Sequence, residues 1–562
     1  MPDHPGRELT NFRSFCDIAS GFWDTNVRRD PSRVILVEAM SQDLRVTLRN
    51  LSVANALRRI EPAELVVFGG ADDDWNEVVW SYFDLDEIEQ LCRAYGARHF
   101  FDVHRVVDDR VAGRRFSLDV AGIDLGGPLP DSVLDPLRFE QIVDATSCRM
   151  AKVARLDGGP EHTRRRARDL ARSTEFARVY DALLSELDVV AVVSSHVDYN
   201  NFGLAVEAAV RHDVPVLFPQ STGGLKVYGL YPERQRPGSP VRAGLTEELG
   251  QFFEHHVWEH RDLLRRSADL TTYRSKAMLG RPSWWRPGRS FSSVELRGPD
   301  DRADVRKVAA ARTGLDPDKP VVTVFNHAVS DALGTNVEAF PDLGAWFEAT
   351  AEIARDRDDV NWLFLDHPSQ SLYDATAFFA QVAARHTDRP HLVFMRSMDL
   401  SKNSLISLTD LVLTVRGSVS NEYPALGIPA IQTGWSEWSA CGFTTVADSP
   451  DDYAKLLDDH ITGLHDGDRM VTPEQVERAR LWTWFYRAGS DVPSGLVQPW
   501  QLGQGDSLID LLSVQMLHVE SDADPLFSSL HRMWTRRDPV ATRVDLAAPT
   551  ERLAVDLGVV TR

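Results

Sequence analysis

Nine short apolar runs constrain this chain more than any other feature. They are RVILVEA (Arg33–Ala39), ELVVFGG (Glu64–Gly70), DVVAVVSS (Asp188–Ser195), VPVLFP (Val214–Pro219), PVVTVFNH (Pro320–His327), VNWLFLDHP (Val360–Pro368), HLVFM (His391–Met395), DLVLTVRG (Asp410–Gly417) and IPAIQTG (Ile428–Gly434). Each has a short β-rich apolar core, and most close on Gly, Pro, Ser or His. Consecutive rather than alternating apolar positions are the mark of a strand buried on both faces. Helical stretches such as Asn200–Asp213 and Asp342–Asp359 lie between them. Strand–helix–strand alternation predicts parallel sheets covered by helices, an α/β fold.

The alternation comes in two blocks, one ending near Tyr228 and one running from Val321 to Ala447. The stretch between them, Pro232–Pro299, includes RPSWWRPGRS (Arg281–Ser290) and reads as a helical insertion over Glu247–Leu270 followed by an irregular linker. Asp135–Leu187 reads as mostly charged helix, its run HTRRRARDLAR a solvated face or else a docking patch for an anionic membrane or glycan. The expected division is 1–300, with the insertion at about 232–300, then 301–480, then helices and a tail over 481–562 that pack back on both. The tail after Val519 shows no periodicity and is expected to be peripheral. Two doubly wound domains leave a cleft between the carboxyl ends of their strands, where ligands bind in open α/β sheets.

Composition narrows the functions. A length of 562 residues suits two large domains or three smaller ones. With 43% hydrophobic and 26% charged residues the chain is not globally disordered. A net charge of −21 argues against broad nucleic-acid binding, which needs clustered Lys and Arg. Cys16, Cys92, Cys148 and Cys441 are scattered without a CxxC, which excludes a disulfide scaffold or local zinc site and points to reducing cytoplasm. The start MPDHPGRELTNFRSF lacks a signal-peptide pattern, and no apolar run nears the ~20 residues of a membrane span.

The chemistry is expected at strand ends. In the second block, RGSVSNEYPALGIPA (Arg416–Ala430) follows a strand. Gly417 permits a tight turn, and Ser418, Ser420 and Asn421 open a helix whose N–H groups suit a phosphate, with Glu422 placed to accept from a ribose diol. Equally, Ser420 could cap that helix and Glu422 complement its dipole. His367 stands before Pro368 at another strand end, and His327 and Asp331 follow a third. In the first block SSHVDYNNFG (Ser194–Gly203) offers His196 and Asp198 as proton acceptors, with Tyr199 and Asn201 beside them. A helix cap with a loop histidine reads the same. PQSTGGLKVYG (Pro219–Gly229) reads as a polar loop in which Ser221, Thr222 and Lys226 face the ligand, or as a surface turn. Asp72, Asp73 and Asp74 read as an exposed acidic loop, with a metal-binding DxD as the lesser alternative. The motif His256-x-x-Glu259-His260 matches an inverted zinc-peptidase pattern but has no evident third ligand, so no metal is expected. Walker A, GxGxxG after a strand and GxSxG are all missing, which removes the usual signatures of kinase-like, nicotinamide and α/β-hydrolase chemistry.

The order FNHAVSDALG, FPDLGAWFEATAEIA, VNWLFLDHPS, SLTDLVLTVRGSVSNEYPALGIPAIQTG resembles the capsular and surface-polysaccharide biosynthesis glycosyltransferases, which are similar to bacterial Kdo transferases. The resemblance covers Val321 to Ala447; the first half matches in architecture alone. It implies a GT-B fold, two Rossmann-like doubly wound domains facing across a cleft. It also implies a metal-independent hexosyl- or Kdo-type transferase that needs no cofactor beyond its nucleotide-sugar co-substrate. His367, Ser418 and Ser420 would contact the donor phosphate, with Arg416 and Asn421 beside them and Glu422 near the donor sugar or ribose. His196, Asp198, His327 and Asp331 are the catalytic candidates, and Tyr199, Asn201, Ser221, Thr222 and Lys226 the acceptor side. The acceptor would be a glycan or lipid-linked glycan, and the enzyme cytoplasmic, associated peripherally with the inner membrane face. One departure is Asp366, where the residue before His-Pro is often basic. Trp435 and Trp438 would stack on a sugar or base, or pack in a core. A non-hydrolysing nucleotide-sugar 2-epimerase and a non-catalytic glycan-binding scaffold are the alternatives.

Overall fold

The computed structural model describes residues 11–40, 44–70, 84–221, 224–277, 299–331, 333–334, 337–468, 470–497 and 506–559. Asp72, Asp73, Asp74 and Thr222 lie outside them. The chain forms two compact units. Unit 1 takes Met1–Thr146, Thr163–Leu245 and Arg487–Arg562, and unit 2 takes Ser147–His162 and Thr246–Tyr486.

Unit 1 is built on β1 (Arg33–Ala39), β2 (Glu64–Gly69), β3 (Ala97–Asp102), β6 (Asp188–Val193), β7 (Val216–Ser221) and β8 (Leu225–Leu230), with a small ribbon of β4 (Asp119–Val120) and β5 (Ile123–Asp124) aside. The sheet order is β3-β2-β1-β6-β7-β8. All its pairs are parallel except β7 with β8. Unit 2 holds β9 (Val321–Phe325), β10 (Asn361–Leu365), β11 (Leu392–Met395), β12 (Leu411–Thr414), β13 (Ala430–Gln432) and β14 (Thr445–Val446), in the order β11-β10-β9-β12-β13-β14, parallel throughout. Counted within its own sheet, each unit reads 3-2-1-4-5-6, the order of a Rossmann fold, with the reversal between the first and fourth strands. The α/β expectation of two Rossmann-like doubly wound units therefore holds.

The reason is visible in the burial. β2 and β10 are buried at every position, as strands with helices on both faces must be. In unit 1, Ile35, Val37, Leu65, Val67 and Ala191 share one apolar cluster; in unit 2, Val322, Val324, Trp362, Phe364, Leu413 and Ile431 share another. The helix after β9, Leu343–Arg355, starts where Asp342 accepts from the Ala345 N–H at 2.7 Å.

The units do not follow linear segments of the chain. The helix Arg261–Ala277, within the stretch expected as an insertion of the first domain, groups with unit 2, where Arg265 pairs with Glu477 at 2.7 Å and Arg480 with Asp269 at 3.3 Å. The tail groups with unit 1. Its helices Asp506–His518 and Pro525–Arg536 place Leu508, Leu512, Met516, Leu526, Leu530 and Trp534 in the same cluster as β1 and β2, so it is core rather than periphery. The spacing of Leu526, Leu530, Met533 and Trp534 is an apolar helical face. Among the described residues no helix is long and apolar enough to cross a membrane.

Candidate functional site

In unit 2 the carboxyl ends of β9, β10 and β12 bring together three residues that the sequence scatters over ninety positions. His327, half-buried after β9, accepts through Nε2 from the Arg416 N–H at 3.1 Å, and its Nε2 lies 3.2 Å from Thr414 Oγ1. An imidazole nitrogen that accepts carries no proton, so a neutral His327 is protonated at Nδ1. Burial pushes its pKa well below the ordinary value, and the nearby positive charges of Arg416 and His367 push the same way. His367 turns Nδ1 toward the Ser369 N–H, 3.2 Å away. The Arg416 side chain folds back onto the Glu338 carboxylate and onto the Asp331 carbonyl at 3.2 Å. Burial raises the Glu338 pKa, and Arg416 opposes that. Asp331 thus meets this group through its backbone. Its carboxylate adds to the burial that pushes the Tyr373 hydroxyl up to about 12. Two buried polar atoms at these strand ends, Asn326 Nδ2 and Thr433 Oγ1, have no hydrogen-bond partner among the described residues.

The following turn is tighter than the sequence suggested. The helix Val419–Glu422 is a single turn. Its Ser420 and Asn421 amides return to the Gly417 and Ser418 carbonyls at 3.0 and 3.1 Å. Ser418 stands at its amino end, exposed, without a side-chain cap bond. Ser420 is fully buried and does not cap the helix: its hydroxyl donates to Gly417 O at 2.8 Å and accepts from Trp438 Nε1 at 3.0 Å. Glu422 pairs with Lys402 at 2.6 Å, a partner that no motif announced. Asn421 is buried. Asp366 accepts from the Ser397 N–H at 2.7 Å, which gives the acidic residue before His-Pro a structural use. Trp438 packs in the core against Trp482, while Trp435 is half-buried.

In unit 1, His196 follows β6 and keeps an exposed surface, yet crowding of its ring lowers its pKa. Arg49 and Arg242 act in the same direction, and Glu38 and Asp198 oppose them. Asp198 is buried and held by Arg242 at 2.8 and 3.2 Å. His196 Nδ1 lies 3.1 Å from Ser195 Oγ, which meets Glu38 at the end of β1. Tyr199 and Asn201 are buried in the π-turn Tyr199–Gly203, where Tyr199 has φ 66° and the Tyr180 hydroxyl donates to Asn201 O at 2.9 Å. A non-glycine residue in the left-handed region is strained, and π-turns concentrate at functional sites.

The segment read as a polar loop is a hairpin of β7 and β8, and Lys226 lies within β8. It is buried, with Nζ on Ser490 Oγ at 2.9 Å. Ser221 ends β7. The His256–His260 motif sits across the π-turn Glu254–Trp258, and among the described residues no three His, Cys, Asp or Glu converge as a metal site. Sequence reasoning passed over Glu38, Ser195, Arg242, Glu338 and Lys402. For Glu38 a signal existed: a lone acid inside a run buried on both faces must be met by donors.

His327 also makes a pH prediction. Its folded pKa lies below the unfolded value of 6.5. Below about pH 6.5 the unfolded chain takes up a proton that the folded unit refuses, so this contribution to stability is full above that pH. It is lost as the pH falls toward the folded pKa, by at most about 1.4 kcal/mol per pH unit. His327→Gln keeps an acceptor but does not titrate. Its urea midpoint should therefore fall less than that of the wild type between about pH 7.5 and about pH 5.

No protein-family model and no curated protein matches the chain. Solved structures similar to it include the UDP-GlcNAc 2-epimerase of Neisseria meningitidis, 11% identical, covering 81% of this chain and 100% of that one with a TM-score of 0.23. The beta Kdo 2,4 transferase KpsC of Thermosulfurimonas dismutans is 12% identical over 52% of this chain and 79% of its own, with a TM-score of 0.30. HepE of Anabaena, in complex with UDP and glucose, is 11% identical over 81% and 95%, with a TM-score of 0.29. The fold class rests on the strand orders themselves.

Proposed function

We propose that this chain is a glycosyltransferase that moves a sugar from a nucleotide-activated donor to a surface or capsular polysaccharide or a related glycan or lipid-linked glycan, with unit 2 carrying the donor groups and unit 1 the acceptor groups. The observation that supports it is the convergence of His327, His367 and Arg416 on one set of strand ends, beside the Gly417–Ser418 turn. Histidine N–H groups and backbone N–H donors suit a diphosphate whose leaving oxygen gains charge in the transition state. His367 would donate to a phosphate oxygen, and the Ser418 hydroxyl and the amides at the start of the turn would add donors. Arg416 acts differently from the free cation expected of it: paired to Glu338, it braces the turn and polarises His327. The Glu422–Lys402 pair would meet the ribose or sugar hydroxyls. On the acceptor side, His196 would take the hydroxyl proton. In a chain of net charge −21 the donor site would be a local exception. A cytoplasmic place at the inner membrane face fits such a substrate.

Thermal-shift screening against UDP-, GDP-, CMP- and CDP-linked sugars should find a stabilising ligand. His367→Ala should then weaken its calorimetric affinity about 10- to 100-fold, the worth of one hydrogen bond to a charged group, with the melting temperature unchanged. Unaltered affinity would sink the donor-site assignment. Conversion of UDP-N-acetylglucosamine with no acceptor present would make the protein an epimerase, and binding without turnover on any acceptor a scaffold.

A further inference from the structure

Glu38 is completely buried at the end of β1, and among the described residues four donors converge on its carboxylate. Oε1 accepts from the Met40 N–H at 2.6 Å. Oε2 accepts from Asn50 Nδ2 at 3.0 Å, from the Ser195 N–H at 3.0 Å and from the Ser195 hydroxyl at 2.5 Å. Three of these groups are N–H donors that cannot accept, and together they favour the ionised carboxylate over the acid, whose proton would have to turn to the Ser195 oxygen. The one proton of the Ser195 hydroxyl therefore points at Glu38. Ser195 Oγ has only lone pairs left for His196 Nδ1, 3.1 Å away, so that nitrogen must carry the proton. The opposite nitrogen of the ring is left basic.

We infer that Glu38 and Ser195 are positioning residues that hold His196 in the tautomer protonated at Nδ1, so that Nε2 is the atom that takes the proton of an acceptor hydroxyl. This rests on the transferase reading. In that reaction the acceptor O–H proton moves to Nε2 while the acceptor oxygen gives an electron pair to the anomeric carbon. The bond from that carbon to the phosphate oxygen breaks, and its electron pair stays on the phosphate. The imidazolium formed is stabilised through Ser195 by the Glu38 charge and later returns its proton to solvent. The other charged groups that face the ring are Asp198, Arg49 and Arg242. Asp198 is neutralised by its two bonds to Arg242, so Glu38 is the carboxylate whose charge reaches the ring through a hydrogen-bonded relay.

The full-length protein labelled with 15N-histidine tests this by long-range proton–nitrogen correlation spectra across a pH titration, with the His196 signals assigned by their loss in His196→Asn. The wild type should show a protonated Nδ1 and a bare Nε2 in its neutral form. Ser195→Ala should shift His196 toward the Nε2–H tautomer. Glu38→Gln should lower its titration midpoint by about one pH unit, since the charge that favours the imidazolium is gone. Ser195→Thr keeps the hydroxyl and should restore the wild-type pattern, which a merely structural role would not require. A wild-type Nε2–H tautomer, or an unchanged tautomer in folded Ser195→Ala, would overturn the inference. None of these readouts needs a substrate. Failure of every nucleotide sugar to bind would instead strike the functional reading and leave the tautomer to decide this one.

Discussion

Replacing Arg416 with alanine should destabilise unit 2 by about 3–5 kcal/mol and abolish binding at its strand ends. The side chains of Arg416 and Glu338 are only 12% and 9% exposed, so removing the guanidinium strands a carboxylate that burial already pushes toward protonation. The sign follows from that shift. A carboxyl whose folded pKa is raised favours the folded state while it is protonated and opposes it as the pH rises through that pKa. The loss in Arg416→Ala should therefore be largest at neutral pH and shrink in mild acid. Replacing both partners by apolar residues, Arg416→Met with Glu338→Leu, should recover most of the stability without recovering binding, because a buried pair gains little over packed hydrocarbon. Urea denaturation of the single and double variants, each at two pH values, measures all of this. Equal stability of Arg416→Ala and wild type at neutral pH would show that the pair is not buried as described.

Leu530→Ala in the tail should cost about 2–5 kcal/mol, the range for deleting a large apolar side chain from a packed core. Leu530 is 1% exposed and shares its cluster with Val37 and Val67 of the first sheet. Leu517, on the other long tail helix, is 64% exposed, and Leu517→Ala should stay within about 0.5 kcal/mol. Chemical denaturation followed by fluorescence separates the two, since a peripheral tail would make both substitutions equally mild.

What the sequence made legible follows from where each strand lies in its sheet. All nine apolar runs became strands; eight of them are interior and the ninth, β11, is an edge strand of unusually apolar content, while β7 is shifted by two residues toward Ser221. Apart from the small β4–β5 ribbon, the strands it missed, β3, β8 and β14, are all at the edges of the two large sheets. β3 carries Arg98 and His99, β8 carries Lys226 and Gly229, and β14 is two residues long, so none offers the unbroken apolar pattern of a covered strand. The candidate site was legible in the same partial way. His327, His367 and Arg416 could be placed because each stands just past an interior strand. Their companions could not, because Glu338, Lys402 and Arg242 reach their partners only through the fold. Arg242 and Asp198 stand 44 positions apart, and Arg416 and Glu338 stand 78 apart. The tail helices carried a readable apolar face, but the charged and polar residues among it masked the period.

The interrupted course of unit 1 sets an order of events during synthesis. Its sheet is complete at Leu230, but the helices that cover part of that sheet begin at Asp506, after roughly 240 residues of unit 2 have been made. At typical translation rates that interval lasts on the order of 10–50 s. Throughout it the helix Leu44–Arg58 and β8, against which the helix Pro525–Arg536 will later pack, are on a nascent chain without that cover. Unit 2 has all its segments by Tyr486 and can close first. The chain's most vulnerable moment for aggregation or chaperone capture thus falls in that interval, when its first sheet is still waiting for the helices Asp506–His518 and Pro525–Arg536.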